Sequence, residues 1–223
     1  MSLKFYVIDT ETTGLKSGYH EITEVGIVRC DDRVQLHKLV VCNYPERASY
    51  DALKITKKTI ADLSKGFDKN TVVKECNELF ASDGLTAAHR CIIAHNAAFD
   101  RKFLHALWES VGEEFPAHLW LDTIALTQKF IKQSDVSTLN ITKTAAGRVS
   151  TALAAACDTV GVKKIADAHN AKVDSRNTYL LWKKLIEDHK IDYLPEIKTY
   201  IHSIKKDTDA DPGLDINFND LID

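Results

Sequence analysis

Hydrophobic and polar positions along this chain fall into two periods, and the switches between them outline a fold. "KFYVID" (residues 4–9) is a short aromatic and branched apolar run that predicts a strand. "EITEVGIVRC" and "VQLHKLVVC" predict two more, joined by a hairpin turn at the polar "DDR" (residues 31–33). "TKKTIADLSKG" and "NTVVKECNELFASDG" have helical spacing and each stops at a glycine. "CIIAHN" is apolar without alternation, the mark of a strand buried on both faces. "AAFDRKFLHALWESVG" then puts Phe103, Leu104, Leu107, Trp108 and Val111 on one helical stripe. "LWLDTIAL" predicts a strand running into a helix. "VSTALAAACDTVGV", "DSRNTYLLWKKLIEDH" and "LPEIKTYIHSIKK" predict helices, and residues 133–148 a polar loop.

Three early strands followed by alternating helices and strands give an α/β class, a mixed central sheet flanked by helices. One domain is expected over residues 1–204. Residues 205–223 form an acidic tail too polar to fold alone. Its last 17 residues hold six aspartates and no Lys or Arg, so the net charge of −3 becomes +3 for residues 1–206. The body is mildly basic, a charge that neither demands nor excludes nucleic acid. Apolar residues among the aspartates of "GLDINFNDLID" leave three readings of the tail: a solubilising end, a docking segment for a partner, or a competitor for the chain's own cleft.

No apolar run approaches the roughly 20 residues of a membrane span. No signal-peptide pattern opens the chain. The five cysteines form no C-x-x-C pair, which points to reduced thiols in a cytoplasmic protein rather than a zinc site or disulfide frame.

The chemistry is carried by carboxylates at element ends. Asp9 and Glu11 stand at i and i+2 of the first strand, so they share one face and repel unless a cation lies between them. Asp100 opens the helix after "CIIAHN". His169 and Asp174, in "AHNAKVD", stand at the front of a later helix. Hard oxygen donors of this kind suit Mg²⁺ or Mn²⁺, and two such ions can clamp a phosphodiester. Each piece alone is unspecific, because an Asp opening a helix is usually a cap.

Together the pieces resemble the DEDDh family of 3′→5′ exonucleases, which have an RNase H-like fold. "VIDTETTGL" is similar to the family's first motif, "IAHNAAFDRKFL" to its second, and "AHNAKVD" to its third, H-x-A-x-x-D. "HEITEVG" fits the acidic second strand. The motifs stand in family order from residue 5 to about 186. The likeness is greatest to proofreading exonuclease subunits of bacterial replicative polymerases. The sister class carries Tyr four residues before its last Asp, a position held here by Asn170.

The resemblance implies two divalent cations held by Asp9, Glu11, Asp100 and Asp174, with His169 as general base. The implied partner is a single-stranded 3′ end, DNA ahead of RNA, with a polymerase or other replication or repair protein as a further partner. It also implies substrate contacts at Thr12, Leu15, Asn96 and Phe99. The bland alternatives are a strand-end turn closed by Gly14 with Leu15 in the core, Asn96 and His95 fixing the second motif, Phe99 as core, and Asp122 as purely structural. Two other functions share the same residues: an exoribonuclease, and an inactive module that only holds a 3′ end.

Overall fold

The computed structural model describes residues 3–166 and 169–201. Six strands form one sheet: β1 (Lys4–Thr12), β2 (Ile22–Arg29), β3 (Gln35–Leu39), β4 (Arg90–Ala94), β5 (Leu119–Asp122) and β6 (Lys198–Thr199). Their order is β3-β2-β1-β4-β5-β6. β1 pairs antiparallel with β2 and parallel with β4, and β4 runs parallel to β5. The sheet is therefore mixed, as the element order predicts.

Six α-helices lie among the described residues: α1 (Tyr50–Thr56), which has no buried residue, and α2 (Lys69–Ala81), α3 (Ala97–Glu109), α4 (Thr123–Gln133), α5 (Leu153–Val160) and α6 (Ala171–Lys183), which cover the sheet. The central strands are buried on both faces, which is why they read as unbroken apolar runs. On one face Tyr6, Ile8, Ile92 and Trp120 pack against α2 and α3. On the other, Val7, Ile93 and Leu121 pack against α4, α5 and α6. The same alternation runs on to the end of β1. Asp9 and Glu11 continue the row of Val7 toward α6, whereas Thr10 continues the row of Ile8 toward α3.

Two helix predictions are corrected. "TKKTIADLSKG" begins on the last residue of α1 and then forms a 3-10 turn over Ile60–Ser64, because the Thr59 and Asp62 side chains cap each other's backbone amides and close a short turn. "LPEIKTYIHSIKK" has helical apolar spacing, but Pro195 sits in a 3-10 turn, Lys198–Thr199 pair with β5, and the Tyr200 amide donates to the His118 carbonyl over 2.7 Å. An edge strand this short has no period to read. The helix predicted from Val149 starts at Leu153.

All five cysteines are buried and free. Among the described residues no helix is long and apolar enough to cross a membrane. The expected domain boundary at 204 and the acidic tail lie outside the described residues.

Candidate active site

The carboxyl ends of β1, β4 and β5 meet at one edge of the sheet, where α/β folds place their ligands. β1 brings Asp9 and Glu11 there. Asp174 arrives from the first turn of α6, whose N-cap Asn170 accepts hydrogen bonds from the amides of Lys172 and Val173. Carboxylate oxygens of Asp9, Glu11 and Asp174 lie within 4.8 Å of one another. α6 comes this close because β2 has no side chain at Gly26, where a Cβ would stand 2.1 Å from the Ala171 carbonyl oxygen.

Asp100 reaches the same strand end from the opposite face. It is 3% exposed, and its Oδ1 accepts from the Thr10 amide (3.0 Å) and the Thr10 hydroxyl (2.8 Å). It stands outside the three-oxygen group but acts on Asp9 through space.

Burial and mutual repulsion push these acids up. Asp9 is held well above the ordinary carboxylate range, first by burial, then by Asp100, Glu11 and Asp174. Burial and the charges of Asp174 and Glu24 push Glu11 up to about 8, against the pull of Lys58. Burial raises Asp100 to about 7 although Thr10 opposes it. Asp174 is raised by burial, offset in part by the His169 amide that donates to its Oδ2 over 2.8 Å. A partly buried oxygen cluster that resists ionisation is the donor set a hard divalent cation relieves.

The His169 side chain is exposed, and its backbone is left-handed at φ 67°. Its amide bond to Asp174 ties the two residues of the third motif together.

Leu15 is 86% exposed, so the core alternative for it is excluded. It lines a cleft of about 430 Å³ with Glu11, Thr12, His20, Phe99 and, from α1, Ile55. Thr12 also closes the turn, its hydroxyl donating to the Gly14 carbonyl over 2.7 Å. Phe99 has two contacts at once, the cleft and the core through Phe103 at 4.9 Å between centroids. Asn96 is exposed in a left-handed conformation, and Asp122 accepts its amide together with those of Ala97 and Ile124. His95 is pinned between the Thr123 hydroxyl (2.8 Å) and the Thr151 carbonyl (2.7 Å). Asp122 and His95 thus hold the second motif in place.

A family model described as RNase T, exonuclease, matches residues 6–182. The chain belongs to this exonuclease family. DNA polymerase III PolC-type of Listeria monocytogenes is 28% identical over 203 residues, 88% of this chain and 12% of that protein. DNA polymerase III subunit epsilon of Treponema pallidum is 30% identical over 138 residues, 56% of this chain and 55% of that one. The chain thus spans a small part of the PolC-type polymerases and about half of the epsilon subunit. E. coli Exonuclease I, in a crystal structure with a dT13 oligonucleotide, superposes with a TM-score of 0.66 at 17% identity, over 83% of this chain and 41% of that one. At that identity the likeness shows the fold, which is the RNase H-like fold of the RNase T exonucleases.

The support beneath this exonuclease site is not apparent in the sequence. Glu24 on β2 is buried and binds Lys58, His37 (2.9 Å) and the amide of Ala171 (3.3 Å). Burial would raise it, but the bonds from His37 and Lys58 outweigh burial and hold it below the usual range. The stretch "HEITEVG" contains Glu24, but nothing in the sequence announces Lys58 or His37 as its partners.

Proposed function

We propose that this chain is a 3′→5′ exonuclease that removes nucleoside 5′-monophosphates from single-stranded DNA ends. The convergence of Asp9, Glu11 and Asp174 within 4.8 Å carries the reading. Glu11 and Asp174 would join Asp9 in holding one divalent cation. Asp100, whose charge acts on Asp9 through space, would join Asp9 in holding a second. Bound there, Mg²⁺ or Mn²⁺ supplies charge to polarise the scissile phosphate and to acidify the attacking water.

The chain's own residues do the rest. His169, fixed through its amide to Asp174, takes the proton of that water. The water oxygen bonds to phosphorus, and the bond from phosphorus to the 3′ oxygen of the preceding nucleotide breaks. One nucleoside 5′-monophosphate leaves, the released 3′ oxygen takes a proton from solvent, and the strand keeps a new 3′-hydroxyl. Thr12 and the turn at Gly14 would hold the terminal sugar, Asn96 would be a further substrate contact, and Leu15 and Phe99, which line the cleft, would flank the last base, since apolar and aromatic side chains suit an unpaired nucleotide.

The test is digestion of end-labelled single-stranded DNA, duplex DNA and RNA in Mg²⁺, alongside Asp9→Asn and Asp174→Asn. Stepwise release from single-stranded DNA, lost in both variants, is expected. Faster release from RNA would move the assignment to an exoribonuclease. Tight 3′-end binding without release would leave only a binding module.

A further inference from the structure

Two tyrosines lie half in water on the loops beside the cleft. Tyr19 is 46% exposed and Tyr44 45%. The Arg47 guanidinium sits 3.8 Å from the Tyr44 ring centroid and 5.2 Å from that of Tyr19, and the Lys16 ammonium 5.9 Å from Tyr19. Two rings and two cations thus share one exposed patch.

The rings are not needed to cement these loops together. The Glu21 carboxylate already accepts the amides of Asn43 (3.2 Å) and Tyr44 (2.8 Å), and the Ser49 amide donates to the Thr13 carbonyl over 2.8 Å. Tyr19 meets the His20 ring edge to face at 5.0 Å, and His20 Nδ1 accepts the Lys16 amide over 3.0 Å. The patch is therefore fixed to the turn that leaves β1. It also continues the cleft, because His20 lines both the cleft and the hollow of about 160 Å³ that holds Tyr19, Tyr44 and Arg47.

We propose that Tyr19, Arg47 and Tyr44 form a stacking platform for the single strand upstream of its terminal nucleotide. The proposal rests on the exonuclease reading above and adds a subsite to it. Ring faces and a guanidinium plane take any unpaired base, because every base has a π face, and the cations face its phosphates. Such a subsite lengthens the grip on the strand without reading its sequence.

The experiment compares wild type with Tyr19→Ala, Tyr44→Ala and Arg47→Gln on oligothymidylates of 2, 4 and 8 nucleotides. The alanine variants should raise KM for the octamer by roughly 5- to 100-fold. The dimer's KM, and kcat at every length, should stay put. Tyr19→Phe and Tyr44→Phe should behave as wild type, since they keep the ring. Arg47→Gln should lower the slope of log affinity against log salt by about 0.7, the loss of one phosphate contact. An effect equal at all lengths, or none on the octamer, overturns the platform while leaving the exonuclease standing. If wild type digests no nucleic acid, that reading fails. Anisotropy of labelled octathymidylate in chelator then decides the platform alone: weaker binding by the alanine variants supports it, and unchanged binding overturns it.

Discussion

Glu11 and Glu24 stand directly opposite each other across the β1–β2 pair, and their surroundings drive their acidities apart. Against its burial, the bonds from His37 and Lys58 hold Glu24 below the usual carboxylate range, whereas burial and then the charges of Asp174 and of Glu24 itself push Glu11 up to about 8. Lys58 acts on both, as the partner of one and as a distant counter-charge to the other.

Lys58→Met should therefore have two effects. Leaving Glu24 with one cation fewer should cost about 3 kcal/mol, as for other broken buried pairs. It should also weaken Mn²⁺ binding near neutral pH, because Glu11 would hold its proton more tightly. Denaturant unfolding and Mn²⁺ titration at several pH values measure the two. Adding Glu24→Gln should recover stability, and an unchanged single variant would remove Lys58 from this role.

The raised acids make the metal-free protein sensitive to base. Glu11 and Asp100 have folded pKa values of about 8 and 7, above their ordinary ones, so the folded state binds more protons than the unfolded state in between. Their contribution to stability is complete below the unfolded pKa and lost as pH rises through the folded one. The melting temperature in chelator should fall from about pH 5 to pH 8. Mn²⁺ should raise it most at the upper end, where protons no longer compete for the oxygens. A metal-free melting temperature that climbs over this range would contradict the assignment of these acids.

His169→Ala should lower turnover by roughly 10²- to 10⁴-fold, the usual range for a general base. Mn²⁺ affinity should change far less, because the residue touches Asp174 through its backbone amide, which alanine keeps. The pH–rate profile should lose the limb that reports this base. A profile of unchanged shape would take His169 out of the proton transfer.

Gly26→Ala should damage the site from behind. The new methyl would stand 2.1 Å from the Ala171 carbonyl, so α6 must shift and carry Asp174 with it. Overpacking of this kind costs about 1–3 kcal/mol. A displacement near 1 Å can cost about 10²-fold in rate. Single-turnover rates and Mn²⁺ affinity should both drop, and near-normal values would mean that α6 is set by other contacts.

The strands and most helices are legible because their periods are long and unbroken. "CIIAHN" announces a doubly buried strand, and the Phe103–Val111 stripe announces α3. The third motif is legible as the front of a helix because Asn170 is a good cap. What stays hidden depends on distant partners. The two-residue β6 takes its form from β5, not from its own pattern. Thr10 looks like a spacer between two acids, yet strand parity turns it to the other face to hold Asp100. The Glu24–Lys58–His37 cluster joins a strand, a loop and a hairpin partner that no local pattern connects.

The acids of this site are far apart in the order of synthesis. A ribosome delivers Asp9 and Glu11 with the first strand, Asp100 midway and Asp174 only with α6. Until that helix docks, the first two carboxylates repel each other and lack the third oxygen that would make them a metal ligand set. A nascent or clipped chain ending before Ala171 should therefore show neither Mn²⁺ affinity nor cleavage. Assembly of the three-oxygen group is thereby tied to completion of the fold, since Asp174 comes with its last α-helix.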